Sequence, residues 1–576
     1  MSARVPLRPH PHSMNPPMNR LLATSILALS TASLALAQGP PPPPPPGPGP
    51  VVAPVPAQNP ITLSKARLGK ALFWDEQLSS TRTTACGSCH IPAAGGADPR
   101  VADPGIASTN PGADGVFGTA DDVQASPGVP RSSADGKYVY DVSFGLLEQV
   151  TGRLAPSAIN AGYSQHLFWD GRAEGPFADA VTGEVLIPQG GALEIQALGP
   201  PLADAEMAHE GRNWTEVLER LEQAKPLALA AAVPASLEAW IANRDYPQLF
   251  AEAFGDDELT SGRVAMAIAT YERTLLGDQT PDDAFRNGNP AALTPLEAQG
   301  RQLFYSPVGC GICHTGVFFS DDQFHYIGVT PPGEDLGRFN VTGNQANRGM
   351  LRTPGLRNVG LRGPYFHNGS AQTLEEVVAF YNRGGDFNAP NRALAVRPLG
   401  LSQQQQTALV AYLRNGLTDA RVAQELAPFD RVTLYGETPA LHGQLHGTGT
   451  PGSGGLTPRL VCYEPPSIGN PNFTVAVENA LGNARAVLLV SNRDQPGGVP
   501  FRGATSYLAT FSGRRRVISA GSLEGIGAGA GYGSVTLELP DSALYDGLEL
   551  HAQWFLLDSG AAHGVSASEA MSFTLY

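Results

Sequence analysis

Cysteine and positive charge are both scarce in this sequence of 576 residues. Five cysteines give no even disulfide framework, and four of them fall within two C-x-x-C-H pentapeptides. Lysine and arginine number 38 against 53 aspartate and glutamate residues, which gives a formal net charge of −15. Nucleic acids and anionic membrane surfaces bind basic patches, so this balance disfavours both as partners. A basic protein partner remains compatible with it.

Long apolar runs are missing as well. The apolar stretch at residues 21–36 is shorter than the about 20 residues that a membrane span needs. Arg20 precedes this stretch and the small-residue sequence Ala-Leu-Ala ends it at Ala37, as in a secretory signal peptide. We therefore expect residues 1–37 to be a signal peptide, no membrane span after its cleavage, and a periplasmic or secreted protein. An uncleaved N-terminal anchor is the alternative.

The two C-x-x-C-H motifs are the strongest chemical signal in the sequence. In such a motif two thiols add to the vinyl groups of one haem and the adjacent imidazole becomes an axial iron ligand, so a rigid macrocycle fixes the spacing. A redox cysteine pair or half of a zinc site would not need histidine after the second cysteine in both copies. We therefore predict two covalently bound c-type haems. The attachment residues are Cys86, Cys89 and His90 for one and Cys310, Cys313 and His314 for the other.

An internal repeat surrounds these motifs. Seven consecutive prolines lie within residues 38–60, which we interpret as an extended linker without a core. Beyond it, the similar sequences GKALF and GRQLF precede the first and second motif, and a candidate closing helix follows each motif, from Arg263 and from Gln403. The repeat predicts an N-terminal haem domain at 61–290 and a C-terminal haem domain at 291–435.

The composition changes after residue 435. Glycine, serine and threonine now separate short apolar runs such as NFTVAVENA and LELHAQWFLLD, a pattern typical of β-strands. We expect a β-rich accessory domain at 436–576, a length within the usual domain range. The fold class predicted for the whole chain is mainly α, with two tandem cytochrome c-like haem domains followed by a C-terminal all-β, sandwich-like domain.

From about residue 63 to residue 417 the sequence resembles the bacterial di-haem cytochrome c peroxidase family, which includes the MauG enzymes. The two haem motifs carry the resemblance together with several strings. These are LGKALFWDEQLS, FWDGRAE, GPPLADAEM, AIATYERTLLG and LRTPGLRNVGLRGPYFHNGSAQTLEEVVAFY.

The resemblance implies roles for residues around the first haem. His90 would be the axial ligand of an open, peroxide-binding iron. Glu206 would be the distal acid/base, and Gln196, ten residues earlier, would supply an amide that hydrogen-bonds the bound ligand. A carboxylate near an open iron can move a proton from one peroxide oxygen to the other. Trp169 would lie between the haems and carry an electron hole.

The second haem departs from the plain peroxidase pattern. The family peroxidases place a methionine ligand fourteen residues after the histidine of PYFH, and here that count from His367 leads to Tyr381. Tyrosine is the MauG-like pattern, and a phenolate oxygen stabilises oxidised iron better than a thioether does. The resemblance thus implies a haem held by His314 and Tyr381, with Met350 and His325 as local competitors.

Two further departures concern the first haem and calcium. No histidine lies between His90 and His166, so the insertion at 91–149 replaces a ligand-bearing loop of many family peroxidases, unless His166 binds the iron. Leu154 stands where the family has an asparagine that helps to bind calcium between the haems, so calcium stays uncertain. A second oxygen-rich loop offers either a calcium site or a solvated acidic loop. Its residues are Asn110, Asp114, Asp121 and Asp122.

The function expected from the resemblance is a di-haem oxidoreductase, an enzyme that reduces hydrogen peroxide or uses it to oxidise a partner protein. The electron donor would be a small c-type cytochrome or a cupredoxin, or a protein substrate would take its place. The alternative is a di-haem electron-transfer cytochrome without peroxidase activity. The two differ at the first haem, which is open in the enzyme and closed in the carrier.

Overall fold

The computed structural model describes residues 53–102, 105–306, 309–509 and 514–576. The predicted signal peptide and most of the predicted linker lie outside these residues. No helix within them is long and apolar enough to cross a membrane. The described residues all belong to one unit of the chain.

Most of the described helices begin at a side chain that caps the first turn. Thr62 accepts a hydrogen bond from the backbone N–H of Lys65, and Thr373 and Ser402 begin helices in the same way. These caps satisfy backbone donors that a first turn leaves unpaired. The helices are α1 (Leu63–Phe73), α2 (Cys86–Cys89), α3 (Ala192–Ala197), α4 (Trp214–Gln223), α5 (Ala235–Ile241), α6 (Tyr246–Phe254), α7 (Ser261–Glu272), α8 (Pro281–Arg286), α9 (Pro295–Phe304), α10 (Phe339–Thr342), α11 (Leu374–Arg383), α12 (Gln403–Ala411) and α13 (Ala420–Ala423).

The helices that flank the two haem motifs pair in the same way. In α1, Gly69 lies against α7, where an added Cβ would stand 1.9 Å from the Ala267 carbonyl oxygen. In α9, Gly300 lies against α12, where the added Cβ would stand 2.0 Å from the Ala408 carbonyl oxygen. Only glycine permits so close an approach of two helix backbones. GKALF and GRQLF therefore encode one packing arrangement that is used twice.

Loops and short ribbons fill the space between these helices. The ribbons pair strands of two to four residues. They are β1 (Thr109–Asn110) with β2 (Val123–Gln124), β3 (Pro127–Pro130) with β4 (Glu148–Val150), β5 (Phe177–Ala178) with β6 (Val185–Ile187), and β7 (Phe324–His325) with β8 (Leu351–Arg352).

The C-terminal β-region, residues 444–574, has ten described strands, of which eight have five or more residues. They are β9 (Gln444–His446), β10 (Arg459–Val461), β11 (Phe473–Leu481), β12 (Arg485–Ser491), β13 (Asp494–Phe501), β14 (Ala504–Leu508), β15 (Arg515–Ser522), β16 (Ala528–Leu537), β17 (Glu549–Leu557) and β18 (Val565–Thr574).

Two antiparallel sheets of this region share one core. The orders are β10-β11-β16 and β15-β12-β17-β18-β9, and β13 pairs with β14 as a separate ribbon. Phe473, Val475 and Val477 of β11 are buried in the same cluster as Trp554 and Met571 of the larger sheet. Alternate residues of a strand face the same side, which is how apolar faces of two sheets come together.

The prediction of a mainly α protein is wrong, because the residues that the structure describes are 29% helix and 21% strand. The C-terminal strands raise the strand share, and irregular segments between the helices of the haem-motif part lower the helix share. The predicted C-terminal β-rich part agrees with the structure.

Candidate active site

The first of two cysteine-lined cavities has a volume of about 310 Å³ and lies beside α2. Cys86, Cys89 and His90 are on its wall. Trp74, at the end of α1, packs on Gly87 so closely that an added Cβ would stand 2.2 Å from the indole ring. The middle of the first C-x-x-C-H motif is therefore fixed by the opening helix.

The His90 ring is oriented by the loop that follows it. Its Nδ1 lies 3.0 Å from the Gly96 carbonyl oxygen, which the ring N–H can reach as a donor. That tautomer leaves Nε2 with a free lone pair, as an iron ligand requires. Burial lowers the pKa of His90, which favours the same neutral form.

Glu206 and Gln196 stand on the wall of the first cavity. Gln196 belongs to α3. Glu206 lies in a turn, and its backbone N–H donates to the Ala203 carbonyl. Burial raises the pKa of the Glu206 carboxyl, while Arg172 acts in the opposite direction. Within the described residues no hydrogen bond reaches the Glu206 carboxylate, so its oxygens are available to a ligand in the cavity.

Three charged residues of this cavity were not predicted, namely Arg153, Arg172 and Glu272. Glu272, the last residue of α7, is 4% exposed and lines the cavity, and its Oε2 has no hydrogen-bond partner within the described part of the chain. Burial raises its pKa to about 8. Arg172 lines the same wall, and its guanidinium lies 3.5 Å above the Phe168 ring. A signal for Glu272 existed, since it ends a helix that is apolar on almost every face.

The second cavity, of about 320 Å³, contains the other motif. Cys310, Cys313 and His314 line it, and Tyr381 reaches the same space from α11. His314 Nδ1 lies 2.9 Å from the Phe319 carbonyl oxygen, which again leaves Nε2 free for a metal. The Tyr381 hydroxyl has no hydrogen bond within the described residues, and burial raises its pKa.

The competing ligands are placed less favourably. His325 lines the second cavity, but its Nε2 lies 2.8 Å from an Asp321 carboxylate oxygen. Met350 is not on the wall of either cavity. His166 is also outside both, with its ring nitrogens 3.3 Å from Glu174 and 3.4 Å from Asp322.

Trp169 lies between the two cavities and lines both. Its indole N–H donates to the Leu154 carbonyl at 2.7 Å, and its ring meets the His367 ring edge-on at 6.3 Å between centroids. Leu154 donates its backbone N–H to the His367 carbonyl, so these three residues form one connected unit.

The acidic loop at 110–122 uses its oxygens within itself. Asp121 accepts the backbone N–H groups of Ala113 and Asp114, and Asp122 accepts that of Gly118. Among the described residues, the only three histidine, cysteine or carboxylate side chains whose ligand atoms lie within 4.8 Å of one another are Cys313, Asp321 and His325.

The donor groups of both cavities fit a c-type haem. Each has two thiols separated by two residues, a histidine whose Nε2 is free, and a largely apolar wall. Two such cavities with a tryptophan between them define a two-haem redox protein.

Comparison with known proteins agrees with this class. The model of the family described as di-haem cytochrome c peroxidase matches residues 63–291. The methylamine utilization protein MauG of Methylorubrum extorquens is 31% identical over 363 residues, which cover 62% of this chain and 80% of MauG. The cytochrome-c peroxidase IdrP1 of Denitromonas iodatirespirans is 31% identical over 393 residues, which cover 62% of this chain and 83% of that protein.

This chain belongs to the di-haem cytochrome c peroxidase family, and the resemblance found in the sequence is confirmed. It is accordingly a peroxidase-type enzyme, as predicted. The family implies haem c as cofactor and peroxide as substrate.

Proposed function

We propose that the protein reduces hydrogen peroxide, or uses it to oxidise a partner protein, at an open first haem held by His90. A second haem, held by His314 and Tyr381, would store the other oxidising equivalent. Both haems would be attached through the cysteines of their motifs. The observation that carries the proposal is the meeting of Glu206, Gln196 and His90 on the wall of one cavity.

The reduction consumes two protons and two electrons for each peroxide and yields two molecules of water. A haem bound beside His90 would supply the iron that binds peroxide and the path for the electrons. The Glu206 carboxylate takes the proton from one peroxide oxygen and delivers it to the other, which leaves as water. Gln196 donates its amide N–H to the bound peroxide and orients it. Trp169, which lines both cavities, connects the two haem sites.

The electron donor and the location of the enzyme are part of the same proposal. We infer a periplasmic or secreted enzyme that receives electrons from a small c-type cytochrome or a cupredoxin, or acts on a protein substrate. A net charge of −15 favours a donor with a basic face. We propose no calcium ion between the haems, because Leu154 is a buried apolar side chain at the position where the family has an asparagine.

The competing function, electron transfer alone, would require a second protein ligand for the first haem in addition to His90. Met207 is the residue that favours it, since it also lines the first cavity and methionine can bind haem iron. Met207 is 2% exposed and packs in the main apolar core, however, which gives it a structural role. A Met207 ligand would make the first haem low-spin and unreactive towards peroxide.

The deciding experiment uses the holoprotein. We expect two haems per chain that survive denaturation, a high-spin first haem that binds cyanide, and a visible spectrum that changes when peroxide is added. The Cys86→Ala/Cys89→Ala variant should lose covalent attachment of the first haem and peroxide turnover but keep the second haem. A visible spectrum that changes with neither peroxide nor cyanide would show that the protein is an electron carrier instead. In that case Met207→Leu should remove the second ligand of the first haem and let its iron bind cyanide.

Trp169→Phe should slow electron transfer between the haems without loss of either haem. The variant removes the indole and its hydrogen bond to Leu154, which costs about 0.5–1.5 kcal/mol of stability. Trp240→Phe is the matched control, because it loses a comparable indole hydrogen bond, to Glu252, away from both cavities. Stopped-flow mixing with a reductant measures the rate of electron transfer between the haems in each variant. Equal rates in both variants would remove Trp169 from the electron path.

A further inference from the structure

The segment that carries Glu206, residues 203–210, is a series of turns without a helix of its own. The insertion at 91–149 packs directly on it through β3. An added Cβ at Gly128 would stand 2.1 Å from the Ala205 carbonyl oxygen and 2.7 Å from the Glu206 Cα. The β3 backbone therefore lies against the Glu206 segment with no space between them.

Hydrogen bonds from the insertion hold the same segment. The side-chain amide of Gln149, in β4, donates to the Asp204 carbonyl at 2.9 Å and to the Val129 carbonyl at 3.3 Å. It thus ties the Glu206 segment to both strands of the β3–β4 ribbon. Gln149 is 9% exposed, so water competes little for these bonds.

A connecting loop, residues 131–139, follows β3 and contacts the other end of the segment. The Ser132 carbonyl accepts the Glu210 backbone N–H at 2.9 Å, and Arg131 forms an ion pair with the Glu210 carboxylate at 2.5 Å. Ser132 also pairs with Tyr138 across the loop. One side of this short loop therefore faces the Glu206 segment.

The other side of the connecting loop faces the C-terminal β-region. The Tyr138 hydroxyl donates to the Glu464 carboxylate at 2.5 Å and accepts the Tyr463 backbone N–H at 3.2 Å. The Tyr138 backbone N–H donates to the Ser534 hydroxyl. The Thr474 hydroxyl donates to the Gly136 carbonyl at 2.8 Å.

Apolar packing reinforces these polar bonds. Tyr138 and Leu146 are buried in one cluster with Val461 of β10 and Ala476 of β11. Tyr140 stacks on Tyr532 with 4.6 Å between ring centroids. Buried hydrogen bonds inside an apolar cluster fix one arrangement more firmly than exposed ones do. The insertion and the β-region are therefore joined rigidly.

We propose that the C-terminal β-region and the insertion form a buttress that positions the Glu206 carboxylate in the first cavity. Tyr138 and Gln149 are its positioning residues. Proton transfer depends on geometry, and a displacement of about 1 Å can cost about 100-fold in rate. The proposal rests on the acid–base role of Glu206 in the proposed function. The β-region contains none of the predicted haem or catalytic residues. Through the insertion it would nevertheless contribute to catalysis by positioning Glu206.

The experiment combines hydrogen–deuterium exchange of the holoprotein with the rate of its reaction with peroxide. Tyr138→Phe removes the hydroxyl that bonds Glu464 and Tyr463, and Gln149→Met removes the amide at similar side-chain length. Both variants should exchange faster in peptides that cover 203–210. Each should react with peroxide about tenfold more slowly, a partial loss of the alignment of Glu206.

Tyr507→Phe is the matched control within the β-region. Its hydroxyl bonds Thr448, and it makes no hydrogen bond to the insertion among the described residues. The control should leave the exchange of 203–210 and the peroxide rate unchanged. It separates general weakening of the β-region from loss of the buttress.

A double-mutant cycle with Glu206→Gln tests positioning itself. If Tyr138 acts through Glu206, Tyr138→Phe has less than about a twofold effect once Glu206 is gone, because coupled residues are not additive. A tenfold effect that persists without Glu206, or unchanged exchange at 203–210, overturns the buttress. If Glu206→Gln alone leaves the peroxide rate intact, the proposed acid–base role fails instead, and the exchange data still decide whether the β-region holds the segment.

Discussion

Glu206→Gln is expected to slow the reaction with peroxide by about 100- to 10,000-fold, the usual contribution of a general acid–base. Glutamine fills the same volume but cannot accept and return a proton. Both haems should stay bound, because Glu206 is not among the attachment residues. Stopped-flow mixing of the holoprotein with peroxide measures the rate, and the haem content is checked by absorbance.

Asp204→Asn is the matched control for this change. Asp204 lies on the same segment with an exposed side chain, and the structure uses its backbone carbonyl rather than its carboxylate. The variant removes one negative charge two residues from Glu206 and should stay within about twofold of the parent rate, as an exposed charge contributes little. A comparable loss in both variants would assign the effect to charge or folding and not to proton transfer.

The Glu206 carboxyl should also control how the rate of the reaction with peroxide depends on pH. Burial raises the pKa of Glu206 above its ordinary value, with Arg172 opposing that shift. The ionised form accepts the first proton, so the peroxide rate falls as pH drops through the raised pKa. This acid limb should lie above the pKa of an exposed glutamate, about 4.3. It should vanish in Glu206→Gln, and a limb that remains would belong to another group, such as Glu272.

Local patterns predicted the parts of the site that local geometry determines. The C-x-x-C-H spacing predicts a rigid macrocycle, and the thiols and histidine of each motif line one cavity, which is where such a group would have to bind. Gln196, Glu206 and Trp169 followed from a family register, and the structure brings all three to the wall that His90 lines.

Contacts between distant segments were beyond such patterns. Tyr138 meets Glu464 across 326 residues, and nothing near either position in the sequence indicates the pairing. Glu272 lies at the end of an apolar helix, where helical periodicity marks burial but not the cavity that the side chain enters. The mainly α prediction failed for a related reason, because haem motifs and helical periodicity do not report how much of the chain between the helices is irregular.

Replacement of Tyr381 should have the largest effect on the second haem. With Tyr381 as the proposed ligand, Tyr381→Met would exchange a phenolate oxygen for a thioether, which stabilises the reduced iron instead of the oxidised one. The reduction potential of that haem should rise by on the order of 100 mV or more, within the span that axial ligands control. Tyr381→Phe provides no ligand atom and should convert the second haem from low-spin to high-spin. Spectroelectrochemical titration of the holoprotein measures both changes.

Tyr365→Phe is the matched control, since Tyr365 lines the same cavity. Its hydroxyl donates to the Val359 carbonyl at 3.1 Å, so its loss should lower stability by about 0.5–1.5 kcal/mol without changing the potential. His325→Gln and Met350→Leu complete the series. An unchanged potential and spin state in Tyr381→Phe, together with a shift in one of these two, would transfer the ligand role to that residue. The second haem would then lack the oxygen ligand that distinguishes the MauG-like pattern, and the plain peroxidase pattern would describe this enzyme better.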